Sequence, residues 1–228
     1  MTGQILFTDR REAGRKLAGA VRDLDFKDPV VLALPRGGVP VGFEVAEALG
    51  APLDILMVRK IGAPGHEEYG IGALVDGVSP QVVVDEGLAR MVGASRNYID
   101  MQIARELAEI ERRRALYRTG SPVTLTGRTV IVVDDGIATG GTVRAALQGI
   151  AKAGAAKVVL AVPLAPADVL SSLTELCDRV ICLASPDPFH AVGMHYSDFR
   201  QTEDEEVIRL LAEARNGNRP GQSSAKVT

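Results

Sequence analysis

The sequence predicts an α/β protein with a doubly wound, mainly parallel central sheet. Short apolar runs alternate with helical stretches along the chain, and several runs are continuous and rich in β-branched residues. Continuous apolar strands are typical of a parallel sheet that is buried on both faces. A length of 228 residues suits one sizeable domain with an accessory piece.

The strands and helices that support this prediction follow one another in order. The predicted strands are Val30–Leu34, Leu53–Val58, Gly72–Val75, Gln81–Val84, Thr129–Val133, Lys157–Val162 and Val180–Leu183. The predicted helices between them are Val41–Leu49, Thr142–Ala153 and Pro166–Leu176. In a sheet of this kind a ligand lies at the carboxyl ends of the strands.

Three segments fall outside the alternation. Thr8 or Asp9 could cap a first helix, and Glu12 would complete a capping box with Asp9. Ser95 could cap a long helix that runs to about Tyr117 and carries apolar residues at helical spacing. We expect residues 1–215 to form one domain, in which residues 88–120 are a helical insertion that could serve as a hood. Residues 216–228 are rich in Asn, Gly, Pro and Ser and are predicted to be disordered.

Composition and charge limit the class of function. The chain is 46% hydrophobic and 24% charged, as in ordinary globular proteins, and its formal charge of −3 argues against a primary role on nucleic acid. No apolar run approaches the roughly 18 residues of a membrane span, and no signal peptide is visible, so we expect a cytoplasmic protein. Cys177 and Cys182 are expected to be buried apolar residues rather than a disulfide.

The sequence VIVVDDGIATGGT carries the strongest functional signal. Its β-branched strand ends at Asp134 and Asp135, a glycine-rich loop follows, and Thr142 opens a helix. Glycines let backbone amides approach an anion, and a helix N-terminus favours a phosphate. The two carboxylates could accept hydrogen bonds from the vicinal hydroxyls of a sugar. The pattern therefore predicts a ribose-5-phosphate site.

Other interpretations of this stretch fit less well. One alternative is a glycine-rich turn with an N-capping threonine and solvated aspartates, which would bind no phosphate. A P-loop would need the lysine of GKS or GKT, which is missing, and the glycine spacing differs from that of a dinucleotide fingerprint. A phospho-acceptor domain would need a lone aspartate at the end of a later strand, and neither Lys157–Val162 nor Val180–Leu183 supplies one.

This stretch closely resembles the signature of the type I phosphoribosyltransferases, whose donor is 5-phosphoribosyl diphosphate. The resemblance implies the fold of that family over about Val30–Leu183. It also implies that Asp134 and Asp135 bind the ribose hydroxyls. By the same resemblance, the 5-phosphate would be held by Ala138, Thr139, Gly140, Gly141 and Thr142.

Two further segments resemble the family's diphosphate site. ALPRGGVPVG looks like the diphosphate loop, with backbone amides of Arg36, Gly37 and Gly38 facing the leaving group, and the family often has a cis non-proline peptide here. A plain Pro-Gly turn before a helix is the alternative. In MVRK, Arg59 and Lys60 match a pair that contacts diphosphate in the family, ahead of a mobile loop. We therefore take these two as the catalytic cations, and residues 61–72 as that loop.

The acceptor end of the site is defined less sharply. FHAVGMHYSDFR resembles the segment of purine-salvage enzymes in which an aromatic residue stacks on the base, so Phe189 and Val192 are candidate nucleobase contacts. An aromatic cluster that fixes the last helix is the alternative. Ala138 departs from the enzymes for 6-oxopurines, which usually carry an acidic residue there, and this makes hypoxanthine or guanine a poorer expectation.

Together these motifs predict an enzyme that transfers ribose-5-phosphate to a nitrogen nucleophile, with a nucleobase as the expected acceptor. The resemblance implies Mg²⁺ as cofactor, carried mainly by the donor, with Asp134 and Asp135 as additional candidate ligands. It also implies a homodimer. A non-catalytic sensor of the same donor is the alternative, although Arg59 and Lys60 are both present.

Overall fold

The structure is a computed structural model that describes residues 4–77, 80–117 and 122–217. It has the α/β architecture that the sequence predicts. The strands are β1 (Pro29–Ala33), β2 (Leu53–Ile55), β3 (Val58–Ala63), β4 (His66–Val75), β5 (Gln81–Val84), β6 (Thr129–Val133), β7 (Lys157–Leu164) and β8 (Arg179–Ala184). The α-helices are α1 (Arg10–Arg22), α2 (Gly38–Leu49), α3 (Glu86–Met91), α4 (Arg96–Tyr117), α5 (Gly141–Lys152), α6 (Ala167–Leu173) and α7 (Asp204–Gly217). Short 3₁₀ helices cover Thr174–Leu176 and Val192–His195.

The central sheet has five strands in the order β2-β1-β6-β7-β8, and every neighbouring pair is parallel. Side chains of alternate residues in β1 lie on opposite faces of the sheet and belong to two different core clusters. Val31 and Ala33 belong to a core cluster that includes residues of α1, α2, α4 and α7, whereas Val30 and Leu32 belong to one that includes residues of α5 and α6. Both faces are therefore buried, which explains why these strands are continuous apolar runs.

Two of the chain's glycine-rich loops leave the sheet at its topological switch point. The chain passes from β1 to β2 on one side, and β6 occupies the other side of β1. Ala33 at the end of β1 is in register with Val133 at the end of β6. Loops that diverge from two adjacent parallel strands leave a crevice between them. The PRGG and DDG segments border this crevice.

The sequence-based strand assignment was wrong for the region after β2. The predicted strand Leu53–Val58 is divided, because the chain leaves the parallel sheet after Ile55 and enters a separate antiparallel sheet at Val58. That sheet has the order β3-β4-β5 and contains the predicted strands Gly72–Val75 and Gln81–Val84.

The predicted mobile loop at residues 61–72 is instead most of a β-hairpin. Strands β3 and β4 pair in an antiparallel manner around a turn at Pro64 and Gly65. Gly65 has a φ of 74°, in the left-handed region that glycine adopts without steric cost. The register between the strands is irregular at Gly62. Arg59 and Lys60 therefore lie on a paired strand rather than at the edge of a loop.

The long helix predicted from Ser95 is confirmed as α4. The Ser95 hydroxyl accepts a hydrogen bond from the backbone amide of Tyr98, at 3.2 Å. Ile99 is buried beside the antiparallel sheet, and Ile110 and Tyr117 are buried in the core cluster that includes α7. Helix α4 therefore extends from the second sheet to the last helix.

The ends of the described chain agree with the sequence in part. Asp9 caps α1 by accepting a bond from the Glu12 amide at 2.7 Å, and the Glu12 carboxylate accepts from the Thr8 amide at 2.5 Å. Helix α7 continues through Gly217, past the predicted start of the tail, and residues 218–228 lie outside the described residues.

Two further expectations concern the thiols and the membrane. Cys177 and Cys182 are free, partly buried thiols that pack against a core cluster. Among the described residues, no helix combines the length and the apolar character needed to cross a bilayer.

Gly149→Ala is expected to lower the free energy of unfolding by about 1–3 kcal/mol through overpacking. An ideal Cβ at Gly149 would lie 2.7 Å from the Cβ of Val75, so α5 could not keep its distance from β4. Gly19 is a matched control in α1, because a Cβ there meets nothing within 4 Å. Gly19→Ala should stabilise the protein by about 0.5–1 kcal/mol. Urea unfolding checks both, and equal effects at the two positions would contradict the packing argument.

Candidate active site

The predicted phosphate loop connects β6 to the N-terminus of α5. Gly140 has a φ of 77°, and a Cβ there would lie 2.7 Å from Cγ1 of Val169. Glycine is therefore required at this position both by the backbone and by the space. Ala138, Thr139, Gly141 and Thr142 are exposed, so the loop and the first turn of α5 are open to a ligand.

The acidic pair at the end of β6 is paired with a cation that the sequence did not identify. Nε of Arg10 donates to Oδ2 of Asp135 at 2.7 Å, and the two side chains are only 12% and 14% exposed. Burial raises the pKa of Asp134 well above its ordinary value, and the neighbouring charge of Asp135 raises it further. Burial also raises the pKa of Asp135, and the Arg10 guanidinium counteracts this rise.

An aromatic cluster holds Arg10 and the loop in place. The Arg10 guanidinium lies 3.9 Å from the ring centroid of Phe199 and donates to the Arg200 carbonyl at 2.7 Å. The Tyr196 hydroxyl donates to the backbone carbonyl of Asp135 at 2.6 Å. The segment after β8 therefore fixes the acidic pair from the side opposite the sheet.

The predicted diphosphate loop packs directly against the acidic pair. An ideal Cβ at Gly37 would lie 2.1 Å from Oδ2 of Asp135, and one at Gly38 would lie 2.8 Å from the Val133 carbonyl. No side chain fits at either position, so these glycines bring the two loops into contact. The Pro35–Arg36 peptide is cis, as the family resemblance implies.

Two features refine the predicted role of this loop. The Gly38 amide donates to the Leu34 carbonyl at 3.0 Å, so we expect only the amides of Arg36 and Gly37 to be available for a diphosphate. The Arg36 side chain is directed to α7, where NH1 lies 3.3 Å from Oδ1 of Asp204. Asp204 also accepts from the Tyr117 hydroxyl at 2.5 Å.

Arg59 and Lys60 share a cavity with the phosphate loop. The cavity has a volume of about 330 Å³, and Arg59, Lys60 and Thr142 are among its lining residues. Nε of Arg59 donates to Oε2 of Glu106 on α4 at 2.6 Å. Lys60 is exposed and makes no ion pair with the described side chains. The structure thus brings together cations and loop residues that are about 80 positions apart in sequence.

The two candidate nucleobase contacts lie in the segment after β8. The Phe189 ring is partly buried, with its centroid 5.5 Å from that of His195. Val192 packs over the phosphate loop, because a Cβ at Gly136 would lie 2.6 Å from Cγ1 of Val192. Both residues belong to the aromatic cluster that supports Tyr196. Their contact with a base stays a prediction.

Sequence reasoning missed Arg10 and Glu106. Arg10 is the first residue of α1, and nothing in the local pattern links it to an aspartate 125 positions away. Glu106 did leave a signal, because it falls on the same face of α4 as the buried Ile99 and Ile110. A carboxylate on an apolar helix face needs a partner, and that partner is Arg59.

The residues present are compatible with a magnesium ion that arrives with the donor. In the described part of the chain, no cluster of three or more His, Cys, Asp or Glu residues could hold a metal ion by itself. Carboxylate oxygens of Asp134 and Asp135 are the ligand type that Mg²⁺ prefers. One oxygen of Asp135 is already bonded to Arg10.

A family model described as the phosphoribosyl transferase domain matches residues 6–198 of the chain. The chain belongs to the phosphoribosyl transferase family. The match includes Arg10, both glycine-rich loops, the Arg59-Lys60 pair and the whole of α4.

Individual proteins and solved structures also resemble the chain. A provisionally named phosphoribosyl transferase of Mycobacterium tuberculosis (strain H37Rv) is 46% identical over 211 residues, which is 92% of this chain. The crystal structure of TT1426 from Thermus thermophilus superposes with a TM-score of 0.79 at 40% identity, covering 92% of this chain and 99% of that one. The Bifunctional protein PyrR of Chloroflexus aurantiacus is 32% identical over 131 residues, covering 56% of this chain and 65% of that protein. The chain spans only 47% of the length of the M. tuberculosis relative.

Asp134→Asn is expected to raise the free energy of unfolding by about 1 kcal/mol at pH 7, as substitutions that relieve strain at an active site often do. Because the folded-state pKa of Asp134 is raised, its carboxylate costs stability as the pH rises above the ordinary value for aspartate. The amide carries no charge, so the gain should shrink when the pH is lowered toward about 4.

Urea unfolding in metal-free buffer at both pH values checks this expectation. The exposed loop residue Asp25 provides a control, since Asp25→Asn should change little. A gain that does not depend on pH, or a loss of stability at pH 7, would show that the charge of Asp134 is not the cause.

Proposed function

We propose that this chain transfers ribose-5-phosphate from 5-phosphoribosyl diphosphate to a nitrogen nucleophile and releases diphosphate. Two observations together carry the proposal. Arg59, Lys60 and Thr142 line one cavity, and Gly37 lies against Asp135. Two cations thus lie beside the start of α5, and the candidate diphosphate loop lies against the candidate acceptors for the ribose hydroxyls.

The phosphate loop and the acidic pair would hold the sugar. The amides of Thr139, Gly140, Gly141 and Thr142, with the two threonine hydroxyls, suit a phosphate at the start of α5. The free carboxylate oxygens of Asp134 and Asp135 would accept from the ribose 2- and 3-hydroxyls. Arg10 keeps one oxygen of Asp135 fixed, so the other oxygen has a defined direction.

The chemical step breaks the bond between C1 and the diphosphate oxygen and forms a bond between C1 and the acceptor nitrogen, which loses a proton. Positive charge develops on the ribose ring while negative charge grows on the leaving group. Lys60, Arg59 and the amides of Arg36 and Gly37 would stabilise that negative charge. Mg²⁺ bound with the donor would neutralise part of the diphosphate charge. Displacement of this kind inverts the configuration at C1.

The acceptor is proposed to be a nucleobase, and the segment Phe189–Arg200 is its proposed contact. Ala138 weakens the case for a 6-oxopurine by the family resemblance and does not by itself select adenine. The test is incubation of the protein with donor, Mg²⁺ and each of a panel of bases, followed by an assay for diphosphate. Release with one base supports the proposal. Donor binding at micromolar concentration without release from any base would favour a sensor of the donor.

Lys60→Ala is expected to lower turnover by roughly 10²-fold while weakening donor binding much less. The reason is that the negative charge on the leaving group is largest in the transition state, where the Lys60 ammonium stabilises it most. Steady-state kinetics give turnover, and calorimetric titration with donor gives affinity. Lys157, exposed at the start of β7 and therefore at the opposite end of the sheet, supplies the control substitution Lys157→Ala. Equal losses of turnover and affinity in Lys60→Ala would count against a role in the transition state.

A homodimer and a cytoplasmic location remain predictions for this chain. The same is true of one domain over residues 1–215 and of a hood formed by residues 88–120. Light scattering of the purified protein measures its oligomeric state directly.

A further inference from the structure

The side chain of Arg59 is fixed by a carboxylate on the insertion helix. Nε of Arg59 lies 2.6 Å from Oε2 of Glu106, with side-chain exposures of 35% and 9%. Arg105 is the other cation near Glu106, but it lies 4.0 Å away and its side chain is 63% exposed. Arg59 is therefore the principal counter-ion of a carboxylate that would be costly to bury alone.

The geometry of this pair leaves Arg59 able to bind an anion. A guanidinium has five N–H donors, and the bond to Glu106 uses only Nε. The two terminal amino groups carry the other four. Arg59 and Glu106 both line the cavity of about 330 Å³ that contains Lys60 and Thr142. Glu106 thus binds Nε of Arg59 and leaves the two terminal amino groups without a bond to Glu106, next to the cavity.

The same helix also contacts the second arginine of the donor site. Tyr117, the last residue of α4, is 2% exposed and donates to Oδ1 of Asp204. Oδ1 of Asp204 lies 3.3 Å from NH1 of Arg36. Both arginines of the proposed diphosphate site are therefore connected to α4, one directly and one through Asp204.

We propose that Glu106 is a positioning residue that orients Arg59 toward the diphosphate of the donor. Helix α4 is then part of the donor site and not only a cover over the acceptor. This inference rests on the proposed function insofar as that function assigns Arg59 to the diphosphate. In this role Glu106 acts through Arg59.

A double-mutant cycle tests this assignment, with the affinity for magnesium diphosphate measured by calorimetry. Glu106→Gln should weaken binding roughly tenfold, the loss typical of residues that orient a ligand-binding group. In an Arg59→Gln background the same substitution should change affinity by no more than about twofold, because the group it orients is gone. In a Lys60→Gln background the tenfold loss should persist.

Glu109→Gln is the matched control. Glu109 lies on α4, pairs with Arg112 and Arg113, and is not among the residues that line the cavity. It should leave diphosphate affinity unchanged. If Arg59→Gln does not fold, the contrast between Glu106→Gln and Glu106→Asp decides instead. Glu106→Asp keeps the charge that holds Arg59 and should recover most of the affinity.

The outcomes separate this inference from the proposed function. Equal losses from Glu106→Gln in all backgrounds would show a general structural role and overturn the inference. No loss in the native background, or no recovery with Glu106→Asp, would also overturn it. If the native protein binds donor and diphosphate but converts no acceptor, the proposed transferase activity is refuted. The double-mutant cycle would still decide the role of Glu106. Native protein without affinity for diphosphate would overturn both.

Discussion

The parallel pairing of β1 with β6 brings the two loops of the site together. Ala33 and Val133 are in register, so the segments that follow them emerge side by side at the same edge of the sheet. Glycine at positions 37 and 38 then lets the backbone of one loop touch the aspartates of the other. A shift of one residue in this register would separate Gly37 from Asp135 and direct the strand side chains to the wrong faces. The site thus depends on the same pairing that builds the core.

Charge compensation is the second constraint on this site. The Asp134–Asp135 pair carries two carboxylates in a half-buried position, and Arg10 supplies one positive charge. Glu106 is likewise balanced by Arg59. In each case a carboxylate and a guanidinium from distant segments meet at low exposure, where an unpaired charge would be costly. The ion pairs therefore tie α1 to the loop after β6 and α4 to strand β3.

Much of the fold could be predicted because its signals are local. Continuous β-branched runs mark β1 and β6, and the glycines after them mark loops that must approach an anion closely. The hairpin was missed because Gly62, Pro64, Gly65 and Gly70 all disfavour strands. At Gly72, however, a Cβ would lie 2.5 Å from the Val83 carbonyl, so the antiparallel sheet itself requires glycine there. Strand pairing overrode the local preference.

The partners of the predicted site residues could not be predicted in the same way. The register of the parallel sheet places Asp135, but the contact with Arg10 depends on how α1 packs across it. The contact between Glu106 and Arg59 depends on where α4 crosses the second sheet. Both are consequences of tertiary packing, for which one sequence carries no periodic signal. The sequence identified the motif residues Asp135 and Arg59. It did not identify their charged partners, Arg10 and Glu106.

The separation of the two sheets has a consequence for product release. The phosphate loop follows a strand of the parallel sheet, whereas Arg59 and Lys60 belong to the antiparallel sheet. An intact donor would bind both sheets at once, so each end raises the local concentration of the other. Cleavage at C1 would divide the ligand into two molecules, so the diphosphate would no longer be linked covalently to the ribose-5-phosphate that the phosphate loop holds. The gain from simultaneous attachment would then be lost, and the proposed reaction would itself weaken the hold of the protein on diphosphate.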